Sequence, residues 1–428
     1  MWDFSTEPEF QKKLDWIKAF VHEEVEPLDL VFNKFCQCYD VTDAKAVAAV
    51  KPLQEEVKRQ GLWAPHMGPH LGGQGFGMVK LALINEILGR SAWGPRVFGS
   101  QAPDSGNAEI IAMYGTEAQK QRYLQPLLDG EIVSCFSMTE PQGGSDPSVF
   151  TTTAVRDGDH WVINGEKWFS SNACWASFLI CMAVTKPDAP LMERFSMFLV
   201  PKETPGVEII RDVGMFNEPL AHGEGAESYV RYNNVCVPAD AMLGPEGHGF
   251  TTAQDRLAGG RLHHAMRSVG ACQKLLDMMC ERALSRTTAK GTLASKQSVQ
   301  LQIADTAMEV QQFRLMVMHA AWLMDQGDHK NAYTAIGMAK ALTAKTYREL
   351  VVRAMHLHGA LGLTNELPLG EMFVTAMVMG IADGPTETHK LNVAKRILKQ
   401  YQPTDGLFPS THIPSRLPAA RKKLEKYL

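Results

Sequence analysis

The stretch Thr139-Glu-Pro-Gln-Gly-Gly-Ser-Asp146 decides how the rest of the chain is interpreted, because the sequence pattern changes on either side of it. Its two glycines carry no Cβ atoms, so a ligand can approach the backbone closely. The hydroxyl groups of Thr139 and Ser145 can hydrogen bond to the polar edges of such a ligand. On composition alone, the same residues are also typical of an ordinary turn.

Helical patterns lie on both sides of a β-rich middle section. Before the stretch, apolar residues recur at helical spacing, as in Phe10, Leu14 and Ile17. From about residue 133 to residue 241, β-branched and aromatic residues alternate with turn signals. These signals predict hairpin turns at residues 156–159 and 164–165. Beyond residue 249 long helical patterns return.

The order of these patterns predicts an α+β fold. We predict an N-terminal α-helical domain (1–132), a middle antiparallel β domain (133–243), a C-terminal four-helix bundle (244–402) and a C-terminal tail (403–428). Within the bundle, a heptad-like seam is predicted to face the core. The members of this seam are Leu301, Ala304, Met308, Leu315, Met318 and Trp322.

Composition argues against several classes of protein. The chain has 428 residues, 45% of them apolar, and a formal net charge of −4. That length exceeds what one hydrophobic core usually organises, and the charge balance predicts no nucleic-acid binding. The tail from Arg416 to Lys426 is basic, although such a run is also typical of a solvated helix end. No apolar run approaches the roughly 18 residues of a membrane span, and the first residues lack the pattern of a secretory signal.

Cysteine and histidine spacing predicts no metal site. The eight cysteines form no Cys-x-x-Cys pair, so neither a zinc cluster nor a thioredoxin-type site is expected. His263 and His264 are adjacent, and His356 and His358 are two residues apart, so on a helix each pair points in different directions. A reduced, cytoplasmic protein is expected.

Two further segments carry residue types suited to chemistry at a ligand. The segment Asn164-Gly-Glu-Lys-Trp-Phe-Ser-Ser-Asn172 sets aromatic rings beside small hydroxyls, which suits either an apolar ring system with a polar rim or an aromatic pair in a β core. The segment Gly380-Ile-Ala-Asp-Gly-Pro-Thr-Glu-Thr-His-Lys-Leu391 places Asp383 before a Gly-Pro break and a helical pattern. A carboxylate in that position is either a helix N-cap or a functional group, and the local pattern leaves both open.

Together the three segments resemble the acyl-CoA dehydrogenase family, and the resemblance runs from about residue 10 to residue 400. The family hallmark Thr-Glu-Pro-x-x-Gly-Ser-Asp corresponds to residues 139–146, and its Asn-Gly-x-Lys motif to residues 164–172. A third signature, Arg-x-x-Phe-Gly-x-x-Leu-x-x-x-Gln, is similar to residues 286–297, where Phe and Gly are replaced.

The resemblance implies an FAD site built from several segments. Its flavin-lining residues would be Phe136, Met138, Thr139, Gly144, Ser145, Phe169 and Ser171, together with Pro385 and Glu387. Across a subunit interface, the FAD diphosphate would be held by Arg286, Thr288 and Gln297, with the partner's His356, Gly359 and Ala360 opposite them. A homo-oligomer, either a dimer or a tetramer, is therefore implied.

The resemblance also implies a reaction and its base. Most members carry Tyr-Glu-Gly-Thr, whose Glu removes the α-proton of an acyl-CoA; this chain has Ala382-Asp-Gly-Pro385, similar to a subgroup acting on longer or unusual acyl chains. Asp383 is then the expected base, with Ser145, Arg261 and Gly384 at the substrate. The product would be a trans-2-enoyl-CoA, and electron-transfer flavoprotein or a similar acceptor would reoxidise the FAD.

Departures from the family pattern leave the substrate open. Asp is one methylene shorter than Glu and Ala382 replaces Tyr, so the pocket is expected to take a bulkier or branched acyl group. Val374 and Thr375 replace the usual Arg-Asp pair, and Ala258 replaces an acidic residue, so the substrate need not be a CoA ester. The alternatives are a nitroalkane-oxidase-like FAD oxidase that also uses Asp383, and a catalytically silent FAD-binding relative.

Overall fold

A computed structural model describes residues 5–32, 37–69, 73–214, 226–404 and 406–428. The first part of the chain is helical. Its helices are α1 (Pro8–Phe20), α2 (Glu26–Val31), α3 (Ala44–Arg59), α4 (Met78–Leu88), α5 (Gly94–Val97), α6 (Asp104–Tyr114), α7 (Glu117–Gln119) and α8 (Gln125–Asp129). Two π-helical turns, Val21–Val25 and Lys120–Leu124, join α1 to α2 and α7 to α8 without a break.

The middle of the chain forms a mainly antiparallel sheet. Its strands are β1 (Ser134–Ser137), β2 (Thr153–Asp157), β3 (His160–Ser171), β4 (Phe178–Val184), β5 (Phe195–Pro201), β6 (Val207–Val213), β7 (Glu227–Pro238) and β8 (Met242–Leu243). Seven strands are hydrogen bonded in the order β6-β7-β3-β2-β4-β5-β8, and β1 pairs in parallel with β4. Strand β4 is buried along its whole length, which explains why its sequence is continuously apolar rather than alternating.

One of the two predicted hairpin turns is present and the other is not. Gly158, at a positive φ of 57°, turns β2 into β3. At residues 164–165 the chain does not turn, because β3 runs on to Ser171 with an irregularity in its pairing to β7 between Ile163 and Gly165. A Cβ at Gly165 would lie 2.4 Å from Thr152 Oγ1, so the glycine permits β3 to approach closely the residue that precedes β2.

The C-terminal part of the chain is again helical. A two-stranded ribbon, β9 (Thr287–Thr288) with β10 (Gly291–Thr292), interrupts it after the first helix. The helices are α9 (Gly249–Ser285), α10 (Gln297–Asp325), α11 (His329–His358), α12 (Leu369–Val378), α13 (Thr386–Leu398) and α14 (Ile413–Leu424). Helices α9, α10, α11 and α12 share one apolar core with Leu81 and Ala82 of α4. The predicted fold class, with helical, β and helical regions in that order, is confirmed, whereas the exact domain boundaries stay a prediction.

The predicted seam on α10 does not face the core as a whole. Met318 is buried, but Leu301, Met308 and Leu315, seven residues apart, are exposed. The buried face instead contains Thr306, Val310, Phe313, Val317, Ala320 and Ala321, which recur at the spacing of three and four expected for a packed helix. Helix α10 therefore has two apolar faces. The first part of the predicted seam lies on the exposed face, whereas Met318 and Trp322 pack against the core.

One carboxylate fixes the N-terminal helices to the bundle. Asp325, the last residue of α10, accepts hydrogen bonds from the backbone N–H groups of Met78 and Val79, at 2.6 and 2.9 Å. It therefore caps the start of α4 from another part of the chain.

Within the described residues, no helix combines the length and apolarity that crossing a membrane requires.

Candidate active site

A buried ion pair connects the first two segments singled out in the sequence. Lys167 of β3 and Glu140 of the first segment are both almost fully buried, and Lys167 Nζ lies 2.9 Å from Glu140 Oε1. The same ammonium donates to the carbonyl of Met138 at 2.8 Å. The pair thus fixes the end of β1 against β3, and the hydrogen bond from Trp168 N to Thr139 O, at 2.9 Å, extends this junction.

Glu140 also organises the chain that follows the glycines. Its two carboxylate oxygens accept hydrogen bonds from the N–H groups of Thr151, at 2.6 Å, and Thr152, at 2.9 Å. Burial would raise the pKa of Glu140, but Lys167 and the donors from Thr151 and Thr152 lower it to about 2. Burial in turn lowers the pKa of Lys167, and Glu140 opposes that change.

The two glycines of the first segment have different surroundings. A Cβ at Gly143 would lie 2.3 Å from Val149 Cγ2, whereas a Cβ at Gly144 would meet only Thr139 Cγ2 at 3.7 Å. Gly143 therefore serves the packing of the loop. Gly144 and Ser145 are exposed, so their backbone is open to a ligand.

An aromatic ring and a hydroxyl project from the end of β3. Phe169, with a φ of 50°, is half exposed and stacks on Trp168 with the ring centroids 4.9 Å apart. Ser171 Oγ donates to Glu227 at 2.8 Å. Phe136 of β1 packs under the guanidinium of Arg256, with Cζ 4.1 Å from the ring centroid.

These features fit a flavin. The open backbone at Gly144 and the exposed face of Phe169 are what an isoalloxazine ring requires. The buried Nε1 of Trp168 has no hydrogen-bond partner among the residues that the structure describes. Residues of β1, the glycine loop and β3 are the groups that would hold the ring. When bound, a flavin supplies an electron sink that protein side chains do not provide.

Asp383 is not a helix cap. Helix α13 begins at Thr386 with Pro385 as its N-cap residue, and no side chain caps it. Asp383 has a φ of 56°, and its carbonyl accepts hydrogen bonds from Arg261 Nε at 2.9 Å and His389 Nε2 at 3.2 Å. Gly384, with a φ of 103°, permits the turn that follows. The backbone is thus fixed so that the carboxylate faces α9.

Several charged and polar groups on α9 surround this carboxylate. Asp383 Oδ2 lies 3.6 Å from His264 Nε2, and Oδ1 lies 4.0 Å from Arg256 Nη1. A Cβ at Gly260 would lie 3.1 Å from Oδ2, so a larger residue there would crowd the carboxylate. Arg261 contacts the backbone carbonyl of Asp383 through its Nε. A contact of Arg261 with the substrate stays a prediction.

Electrostatics keeps Asp383 ionised at neutral pH. Burial raises the pKa of Asp383, but the positive charges of Arg256, Lys340 and Arg261, joined by His264 only when its imidazole is protonated, outweigh this effect and hold the pKa below that of an ordinary aspartate. Burial and Arg267 lower the pKa of His264 to about 3, so this imidazole is neutral and the net positive charge at the site comes from the other three groups. His263, by contrast, points elsewhere and packs against His66.

Sequence reasoning missed Arg256, His264, Lys340 and Glu109. Glu109 of α6 faces α9 from another direction, since a Cβ at Gly259 would lie 2.8 Å from its Oε2. Burial raises its pKa to about 8, against the opposing effect of Arg256. Arg256, Lys340 and Glu109 are single charged residues in helical patterns, and no sequence motif distinguished them from surface residues. His264 was considered only together with His263, as a possible pair of metal ligands.

The predicted diphosphate residues lie far from this site. Arg286 follows directly after α9, and Arg261 is on the same continuous helix, so 25 residues at about 1.5 Å each place them roughly 37 Å apart. Arg286, Thr288, Gln297, His356, Gly359 and Ala360 are all exposed. The end of α9, which Arg286 follows, adjoins residues 356–360 within one chain, because Arg282 Nη2 donates to His358 O at 3.4 Å. That the partner's His356, Gly359 and Ala360 lie opposite Arg286, Thr288 and Gln297 across a subunit interface stays a prediction.

Comparison with known proteins defines the class. The descriptions of the three matching family models are acyl-CoA dehydrogenase N-terminal domain (residues 7–131), middle domain (135–224) and C-terminal domain (247–398). The chain therefore belongs to the acyl-CoA dehydrogenase family of flavin-dependent dehydrogenases.

Individual relatives agree with this assignment. The Mycobacterium tuberculosis protein named "Probable acyl-CoA dehydrogenase FadE2" is 37% identical over 392 residues, which are 91% of this chain and 95% of that protein. Acyl-CoA dehydrogenase family member 10 of Mus musculus is 36% identical over 92% of this chain, but this chain spans only 37% of that longer protein. A solved Mycobacterium abscessus structure assigned to the acyl-CoA dehydrogenases has a TM-score of 0.85 at 35% identity, covering 93% of this chain and all of that one.

The buried pair yields a stability prediction. Replacing Glu140 with Gln leaves the Lys167 ammonium buried without a counter-ion, so the free energy of unfolding should fall by about 3–5 kcal/mol in denaturant titrations at pH 7. Because the pKa of Glu140 is depressed to about 2, the wild-type advantage is present above pH of about 4.3 and disappears as pH falls towards 2. The control Glu117→Gln removes a carboxylate that is 83% exposed and should change stability by less than about 0.5 kcal/mol. A loss below about 1 kcal/mol for Glu140→Gln would contradict this account.

Proposed function

We propose that the protein is an FAD-dependent acyl-CoA dehydrogenase that converts an acyl-CoA thioester to a trans-2-enoyl-CoA. The observation that carries this proposal is the setting of Asp383. Its carboxylate is enclosed, faces α9 across Gly260, and has a backbone carbonyl fixed by Arg261 and His389. An ionised carboxylate held in a fixed place is the group needed to remove a weakly acidic α-proton.

The same setting accounts for how the base can work at neutral pH. Asp383 has a lowered pKa, so it is ionised but weakly basic. A bound acyl chain would exclude water from the carboxylate, which raises its pKa and strengthens it as a base. The positive charges of Arg256 and Arg261 would meanwhile favour the negative charge that develops on the thioester when the proton leaves.

The departure from Glu to Asp bears on the acyl group. A misplacement of about 1 Å can cost roughly a hundredfold in rate, so the shorter side chain needs a different placement of backbone or substrate. The positive φ of Asp383 and the two hydrogen bonds to its carbonyl are the local features that would provide such a placement. With Ala382 in place of the usual Tyr, a bulkier or branched acyl group remains our proposal, as does the subgroup with Ala-Asp-Gly-Pro.

The position of Arg286 supports an oligomer with FAD at the subunit interface. The isoalloxazine ring and the diphosphate of FAD are joined only by a ribityl chain, which is much shorter than the roughly 37 Å between Arg261 and Arg286 on one chain. Arg286 and the residues that follow it would therefore hold the FAD of a second copy, with residues 356–360 near the same end of α9. The exposed apolar residues Leu301, Met308 and Leu315 on the outer face of α10 suit such an interface.

Electron-transfer flavoprotein or a similar protein is the proposed electron acceptor, and a cytoplasmic location is proposed.

A nitroalkane-oxidase-like reaction is the second candidate. It would use Asp383 in the same way, and the cations near the base would equally favour a nitronate. Oxygen consumption on nitroethane would support it, whereas reduction of an artificial acceptor by acyl-CoAs would support the dehydrogenase. A purified protein that binds flavin but reacts with neither kind of substrate would instead favour the catalytically silent FAD-binding relative.

Substitution of Asp383 tests the proposed base. Asp383→Asn removes the proton acceptor but keeps the size of the side chain, so anaerobic bleaching of the flavin by acyl-CoAs should fall by at least about a thousandfold. FAD content should remain that of the wild type, because the flavin is expected to contact other segments. A matched control is Asp188→Asn, which changes an exposed carboxylate and should leave bleaching unchanged. Retained turnover in Asp383→Asn would exclude Asp383 as the base.

Substitution of Arg286 tests the shared FAD site. Arg286→Ala removes a charged donor from the proposed diphosphate site, so the dissociation constant for FAD, measured by flavin fluorescence, should rise roughly ten- to hundredfold. The exposed Arg59 supplies the control Arg59→Ala, for which no change is expected. Wild-type FAD affinity in Arg286→Ala would place the diphosphate elsewhere.

A further inference from the structure

Lys340 is a buried cation that the fold alone does not require. It lies in the middle of α11, and only 1% of the residue is exposed. Its ammonium donates to the carbonyl of Met379 at 2.6 Å and forms no salt bridge within the described part of the chain. A carbonyl oxygen does not neutralise a positive charge, and an uncompensated buried charge is costly. A structural lysine in this place would be expected to have a carboxylate partner.

The carbonyl that Lys340 binds belongs to the segment that carries the proposed base. Residues 379–385 connect α12 to α13, and three other elements hold this segment by its carbonyl oxygens. Lys340 of α11 binds Met379 O, Thr386 of α13 binds Gly380 O, and Arg261 of α9 binds Asp383 O. Lys340 therefore fixes the beginning of the segment, whereas Arg261 and His389 fix its end.

We propose that Lys340 is a positioning residue for Asp383, which fixes the start of the segment 379–385 and supplies part of the positive charge that the Asp383 carboxylate faces. This inference rests on the proposed role of Asp383 as a base. Lys340 does not touch the substrate in this account, and it acts only through the segment and the carboxylate.

The charges around Lys340 determine how its effect depends on pH. The groups that interact with it are Asp383 in the segment, Arg261 and His264 on α9, and His389 on α13. Burial lowers the pKa of Lys340 to about 8, with Asp383 opposing and Arg261 adding to the shift. Below pH 8 Lys340 is therefore charged and helps to keep the pKa of Asp383 low. Above pH 8 the charge is lost, and the Asp383 carboxylate becomes more basic.

Three substitutions separate the hydrogen bond from the charge. Lys340→Met removes both and keeps the length of the side chain, Lys340→Gln keeps a donor without the charge, and Lys340→Arg keeps both. The control is Lys345→Met on the exposed side of the same helix. All are prepared as the FAD-loaded protein, and thermal melting checks that each is folded.

The first measurement is hydrogen–deuterium exchange of peptides covering residues 379–385, which needs no substrate. Exchange should become roughly tenfold faster in Lys340→Met, while Lys340→Gln, Lys340→Arg and Lys345→Met should match the wild type.

The second measurement is the pH dependence of anaerobic flavin reduction by an acyl-CoA. Its acidic limb should move up by about one pH unit in Lys340→Met and Lys340→Gln, which is a tenfold change in rate on that limb. It should stay in place in Lys340→Arg.

The two measurements distinguish failure of this inference from failure of the proposed function. If no acyl-CoA reduces the wild-type flavin, the proposed function fails, and exchange of the segment still decides whether Lys340 positions it. Wild-type exchange in Lys340→Met overturns the positioning role. An unmoved acidic limb in both Lys340→Met and Lys340→Gln, with a wild-type protein that reacts, overturns the electrostatic role.

Discussion

The ion pair between Glu140 and Lys167 is the constraint on which the candidate flavin site depends. Two charges removed from water lose several kcal/mol of hydration each, and this loss is recovered only when geometry and additional hydrogen bonds are good. Here the backbone N–H groups of Thr151 and Thr152 and the carbonyl of Met138 complete the shell around the pair. The end of β1, the entry to β2 and the middle of β3 are consequently held at one point.

That junction explains why two separate sequence segments act as one site. Glycine at position 144 opens the backbone on one side of the junction, and Phe169 presents its ring on the other. Because both are attached to a fixed core, little conformational entropy would be lost when a flat ligand binds between them. Helix α9 then connects this region to the base, since Arg256 contacts Phe136 through its guanidinium and lies 4.0 Å from Asp383.

Much of the fold and part of the site could be predicted from the sequence. Periodicity identified helices and strands because burial of one face imposes a repeat on the sequence. It failed on α10, where two apolar faces compete and only contacts show which one is inside. The Asn164-Gly165 turn signal also predicted a turn, where the glycine instead allows β3 to approach Thr152. Asp383 was found by its position in a segment, but whether it capped a helix could be decided only from the structure. Lys340, Arg256 and Glu109 have no sequence signal, because a buried charge and a surface charge look the same in a helical pattern.

The central claim is that Asp383 takes the α-proton of the substrate. The most direct test is to incubate the FAD-loaded protein with a saturated acyl-CoA in D2O without an electron acceptor, and to follow deuterium entering the α-position by mass spectrometry. The account predicts exchange at the α-carbon in the wild type, reduced exchange in Asp383→Glu, and none above background in Asp383→Asn. Exchange in Asp383→Asn at the wild-type rate would contradict it.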